Sequence, residues 1–157
     1  MTRFLFGAAM LAAALLHPAP SLAHPDAGPH VQVATGAGRA GDPARVTRTV
    51  VVGMADSMRF SPAALAVPRG ETLRITARND GAVMHEIVLG TRTEIAGHRA
   101  AMQRDPAMAH GVPYMAHVAP GASEHVVWQF DRLGTFEYAC LLPGHYEAGM
   151  TGLVTVR

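Results

Sequence analysis

Hydrophobic and polar positions along the chain alternate in short blocks separated by turn residues, the texture of a β protein. The clearest block is TLRITAR, where Leu73, Ile75 and Ala77 alternate with Thr72, Arg74, Thr76 and Arg78, giving one face for a core and one for water. Asn79-Asp80-Gly81 then turns the chain. Further strands are predicted at 46–53, 64–67, 83–89, 124–130, 134–140 and 151–156. About seven short strands at this spacing predict an all-β, two-sheet antiparallel sandwich. One segment breaks the pattern. In TRTEIAGHRAAMQRD, Thr91 and Glu94 have capping-box spacing, and Ile95, Arg99 and Met102 share a helical face that ends before Pro106. A short helical insert is therefore expected around 91–118.

The two ends of this pattern set the domain boundaries. Residues 1–23 carry Arg3, an apolar run from Phe4 to Leu16, and small residues at Ser21 and Ala23, the layout of a cleavable secretory signal. About 13 apolar residues are too few to span a bilayer, so no membrane span is expected after cleavage. Residues 24–45, rich in Gly, Ala and Pro, read as a flexible leader, and 46–157 as the folded domain. Composition narrows the functional classes. The 13 basic residues, all Arg, against 12 acidic ones leave the chain near neutral, which does not favour nucleic acid as a partner. A single Cys excludes an internal disulfide, and an exported lone thiol needs protection or a task.

That task is suggested by FEYACLLPGHYEAGMTG. Phe136, Tyr138 and Cys140 share parity, so the thiol faces the same interior as the aromatic rings. His145 follows five residues later and Met150 five beyond that, with Pro143, Gly144 and Gly149 supplying bends. In VMHEIVLG, His85 shares parity with Ile87 and Leu89 and can add a second imidazole. Two imidazoles, one thiolate and a weak axial thioether form the donor set of electron-transfer copper; zinc rarely recruits a thioether. His85, Cys140, His145 and Met150 are thus the candidate metal ligands.

CLLPGHYEAGM resembles the Cys-x4-His-x4-Met ligand loop of the cupredoxins, the small blue-copper proteins, and the resemblance runs from about Val50 to Val156. FSPAALAVPRGETLRI, HEIVLG and APGASEHVVWQF are similar to periplasmic cupredoxins found with bacterial copper-tolerance systems. The resemblance implies a Greek-key sandwich, one type 1 copper ion held by those four residues, and His145 as the edge through which electrons pass. It departs at one position. Plastocyanins and azurins usually carry Asn after the first His ligand, where it helps tie the two ligand loops together; Glu86 stands here.

A periplasmic carrier of single electrons is the expected function, with a transient redox partner such as a cytochrome or copper oxidase. Leu141, Leu142, Pro143, Ala82 and Met84 are expected to form an apolar rim for that contact. A copper-buffering tolerance protein, in which redox exchange is incidental, uses the same four residues. A copper enzyme is disfavoured, because no His-x-His pair is present to build a further centre and four donors leave no open position. Two weaker copper sites are also considered: His98, Met102, Met108, His110, Met115 and His117 in the insert, and His24 with His30 in the leader.

Overall fold

The structure, a computed structural model, describes residues 34–105 and 111–157. Eleven strands are present among them: β1 (Ala34–Thr35), β2 (Gly38–Ala40), β3 (Arg48–Ala55), β4 (Arg59–Ser61), β5 (Ala64–Val67), β6 (Thr72–Asn79), β7 (His85–Gly90), β8 (Met115–Val118), β9 (Ser123–Gln129), β10 (Gly134–Ala139) and β11 (Thr151–Val156). A single α-helix, α1 (Arg92–Arg104), lies between β7 and β8.

The strands form two sheets, ordered β1-β2-β9-β6-β3-β4 and β5-β11-β10-β7-β8. This is the expected sandwich, with two parallel pairs in it. β3 runs parallel to β6, and β5 parallel to β11, while the remaining pairs are antiparallel. The parallel β3–β6 pairing follows from a crossover. After β4 the chain leaves the first sheet to lay β5 on the second, and returns to the first as β6.

The alternation in β6 works as the sequence implies, since Leu73, Ile75 and Ala77 are wholly buried. They meet Val126 and Trp128 of the same sheet, and Leu65, Ile87, Leu89, Phe136, Tyr138, Val154 and Val156 of the other, in one core cluster. The second sheet is covered on its outer face as well. There Val88, Ala139 and Leu141 pack with Ile95 and Met102 of α1 and Met115 of β8. Every residue of β7 is buried as a result, Glu86 included.

Helix α1 begins as the spacing predicts. Thr91 Oγ1 accepts from the Glu94 N–H at 3.2 Å, and the Glu94 carboxylate accepts from the Thr91 N–H at 2.8 Å. The same carboxylate also accepts from the Gly36 N–H at 2.8 Å. Residues 34–45, read from composition as part of a flexible leader, instead contribute β1, β2 and a 3-10 turn at Pro43–Arg45. Arg39 and Ala40 pair with Gln129 and Trp128, because the outer edge of β9 offers backbone groups that must be satisfied. The insert is likewise not helical to its end. Residues 115–118 form β8, an edge strand registered on β7, because the open edge of β7 offers backbone groups that an extended neighbour satisfies. The signal sequence, His24 and His30, and Met108 and His110 lie outside the described residues. No described helix is long and apolar enough to cross a membrane.

Gly152 lies directly across from Tyr138 in the β10–β11 ladder, and the Tyr138 ring occupies the space a Cβ on Gly152 would fill. We expect Gly152→Ala to destabilise the domain by about 1–3 kcal/mol, measured by urea unfolding, because the wholly buried ring must shift within the core to make room.

Candidate metal centre

The site sits where strand ends of the second sheet open onto loops. His85 is the first residue of β7, and Cys140 follows the last residue of β10. Between Cys140 and β11, a loop of tight turns returns the chain on itself. His145 N–H donates to Leu142 O at 3.0 Å, Ala148 N–H to Gly144 O at 3.0 Å, and Gly149 N–H to Tyr146 O at 2.9 Å. Gly144 (φ 83°) and Gly149 (φ 95°) adopt the left-handed backbone that such turns require. Two further bonds close the loop. Met150 N–H donates to His145 O at 3.0 Å, and Cys140 N–H donates to Met150 O at 3.1 Å. The Cys, His and Met of the loop are therefore held together by backbone bonds before any ion is considered.

The side chains converge. His85 Nδ1 lies 3.3 Å from His145 Nδ1, and Cys140 Sγ lies 3.2 Å from His145 Nδ1. Donor atoms of His85, Cys140 and His145 all fall within 4.8 Å of one another. Nitrogens each about 2 Å from a shared first-row metal ion would stand roughly 3.3 Å apart, so the spacing fits one ion. His85, Cys140 and Met150 are fully buried, and His145 is partly exposed.

Each donor is tuned by its surroundings. Burial pushes the Cys140 thiol from 9.0 up to about 12; the Glu86 carboxylate adds to this, while N–H groups of Glu86 and Leu142 oppose it. Burial, with His85 nearby, lowers the His145 imidazole below its usual range, against the pull of the Glu86 and Asp56 carboxylates. A lowered imidazole stays neutral and keeps its lone pair for a metal.

Two residues support the donors. Glu86, wholly buried on the opposite face of β7 from His85, accepts from Leu141 N–H at 2.7 Å, and its other oxygen lies 2.6 Å from His117 Nε2. Its own N–H donates to Cys140 Sγ at 3.4 Å. The tie between ligand loops that Asn provides in plastocyanins and azurins is thus made here by a carboxylate, with His117 of β8 as its cross-strand partner. Asp56, at the turn after β3, accepts from Ala82 N–H at 2.8 Å and Val83 N–H at 3.4 Å, and stands 3.2 Å from His85 Nε2. The Ala82 N–H chiefly holds its carboxyl below the ordinary range, with smaller contributions from Val83 and His85. Nothing in the sequence marks Asp56, and His117 stands out there only as a soft donor of the insert; the two reach the site through the β3–β4 turn and the β7–β8 pairing. Of the insert's described soft donors, Met102 of α1 and Met115 of β8 pack against Val88, Ala139 and Leu141, and His117 Nε2 stands 2.6 Å from the Glu86 carboxylate. His98 lies on α1.

The model of the copper-binding proteins of the plastocyanin/azurin family matches residues 46–157. The chain belongs to this family. It is 52% identical over 132 residues to the copper-resistant cuproprotein CopI of Rubrivivax gelatinosus, covering 83% of this chain and 80% of that one. Its identity to the Pseudomonas aeruginosa protein of the same name is 31% over 149 residues, covering 76% and 82%. Auracyanin B superposes with a TM-score of 0.61 at 28% identity over 71% of this chain and 90% of that one. Auracyanin A of Chloroflexus aurantiacus gives 0.57 at 28% identity, covering 69% and 98%. This cupredoxin is therefore related to copper-resistance proteins, and the cluster of His85, Cys140 and His145, with Met150 beside it in the loop, can hold the one copper its family binds.

The buried thiol has a measurable consequence. A pKa near 12 in place of 9.0 lowers the thiolate fraction at neutral pH about a thousandfold, since each unit is a factor of ten. The metal-free protein should react with iodoacetamide at pH 7.5 far more slowly than the same chain in urea. Equal rates would show that Cys140 is not enclosed as described.

Proposed function

We propose that the chain is an exported, periplasmic type 1 copper protein that carries single electrons in a copper-tolerance setting, with His85, Cys140, His145 and Met150 as the residues that would hold the copper. The observation that carries this reading is the convergence of one ring nitrogen each of His85 and His145 and the Cys140 Sγ within 4.8 Å of one another, with the buried Met150 on the same loop as Cys140 and His145. A copper ion held there would supply a one-electron couple. The chain's own part is to keep the donors where they are in both oxidation states. The loop bonds among Cys140, His145 and Met150, and the Glu86 bond to Leu141, oppose rearrangement, and enclosure protects the thiol from oxidation.

His145 is the ligand that reaches solvent, and so the edge at which a redox partner such as a cytochrome or copper oxidase would exchange electrons. Val83 and Met84, each 43% exposed, precede His85, and on the ligand loop Leu142 is half-buried and Pro143 exposed, whereas Leu141, expected in the same rim, is buried against α1. An apolar rim of this kind suits a brief, weak contact. Carriage rather than catalysis is favoured by a donor set of four protein groups, three of them fully buried, that leaves no position for a substrate. The second reading, a copper-buffering tolerance protein, draws on the names of the CopI relatives. A deletion strain that is copper-sensitive with unaltered respiration would favour it.

Metal analysis and visible spectroscopy of the exported protein beside Cys140→Ser test the site. The parent should bind one copper ion and show intense ligand-to-metal charge-transfer bands, and the variant should lose them. A colourless oxidised protein, or equal copper occupancy in both, would contradict the proposal.

A further inference from the structure

Asp56 has no part in the ligand set, yet its carboxylate reaches the outer nitrogen of the most deeply buried imidazole. It comes from the β3–β4 turn in the first sheet, whereas His85 begins β7 in the second. Its Oδ1 lies 3.2 Å from His85 Nε2, and its Oδ2 is fixed at 2.8 Å by the Ala82 N–H. The fit is close. A Cβ on Gly81 would overlap the Asp56 carboxylate, so the turn before β7 leaves room for that group only because residue 81 lacks a side chain.

We propose that Asp56 is a positioning residue for the metal centre, fixing the His85 tautomer and biasing the site toward oxidised copper. An ionised carboxylate can only accept, so the contact requires a proton on Nε2. The neutral ring is then bare at Nδ1, the atom that faces His145 Nδ1 at 3.3 Å. The same carboxylate makes His85 a stronger donor and brings a negative charge near the ion, and both effects stabilise the higher charge state. A backbone carbonyl at this position would set the tautomer with only a partial charge. Asp56 is half-exposed, with 43% of its side-chain surface open, so solvent moderates this charge without removing it.

The inference rests on the copper reading, and its test has one arm that does not. Long-range proton–nitrogen NMR of the metal-free protein should show His85 protonated at Nε2. A proton on Nδ1 instead would overturn the proposal whatever the protein binds. In the copper-loaded protein, spectroelectrochemical titration is applied to Asp56→Asn, which keeps an oxygen for the N–H but removes the charge. It is also applied to Gly81→Ala, which displaces the carboxylate and leaves every charge in place. Both variants should retain the visible bands and favour Cu(I) over Cu(II) about tenfold more than the parent does, a rise of about 59 mV for one electron. A potential equal to the parent's in both coloured variants overturns the role of Asp56 while leaving the copper site standing. An absence of colour in the parent itself would contradict the copper reading instead.

Discussion

A carboxylate with no contact with water must receive its hydrogen bonds from the protein, and the arrangement of this centre follows from how Glu86 is supplied. One oxygen takes the N–H of Leu141, the residue after the cysteine, and the other meets His117 across the β7–β8 ladder. Because Glu86 also follows His85 directly, its bonds join the strand that carries one imidazole to the loop that carries the thiol, the other imidazole and the thioether. Its N–H contact to Cys140 Sγ adds a second tie at the same point. Removing the carboxylate would leave a buried N–H without a partner and the two ligand segments without their shared anchor.

The fold makes such an acid tolerable by covering the second sheet twice. A sandwich sheet ordinarily shows one face to water, and position 86 points to the face that would be wet. Here α1 covers that face, with Ile95 and Met102 packed against Val88, Ala139 and Leu141 and against Met115 of the neighbouring strand β8. The insert is in this sense part of the metal centre's support. Met102 and Met115 serve as apolar filling, and His117 meets the carboxylate of Glu86. A cavity of about 510 Å³ between Arg99, Met102 and Gln103 of α1 and Leu141 to Gly144 of the loop, with Glu147, lies along the same seam.

Much of this was legible in the chain. Period-two alternation located β5, β6 and β11 nearly to the residue, because each has one buried and one less buried face. Fixed spacing from Cys140 and shared parity with Ile87 and Leu89 singled out His85, Cys140 and His145, which the structure gathers, since a short loop and a strand leave little freedom in where those side chains can go. Four short strands escaped notice for a common physical reason. β1, β2, β4 and β8 have two to four residues each, and pairing with a neighbour defines them more than any pattern of their own. Asp56, and the contact of His117 with Glu86, escaped for a related one. Each acts on a residue about 30 positions away in sequence, through contacts that exist only once the sheets are assembled.

The central claim is that the folded chain presents Nδ1 of His85, Nδ1 of His145 and Sγ of Cys140 to a single ion with the loops already in place. A crystal structure of the copper-loaded protein tests it most directly. The expected result is one ion bonded to those three atoms, with the Met150 sulfur close to it and the Glu86 to Leu141 bond intact. Copper bonded through an Nε2 atom, or seated among the donors of the insert, would contradict it.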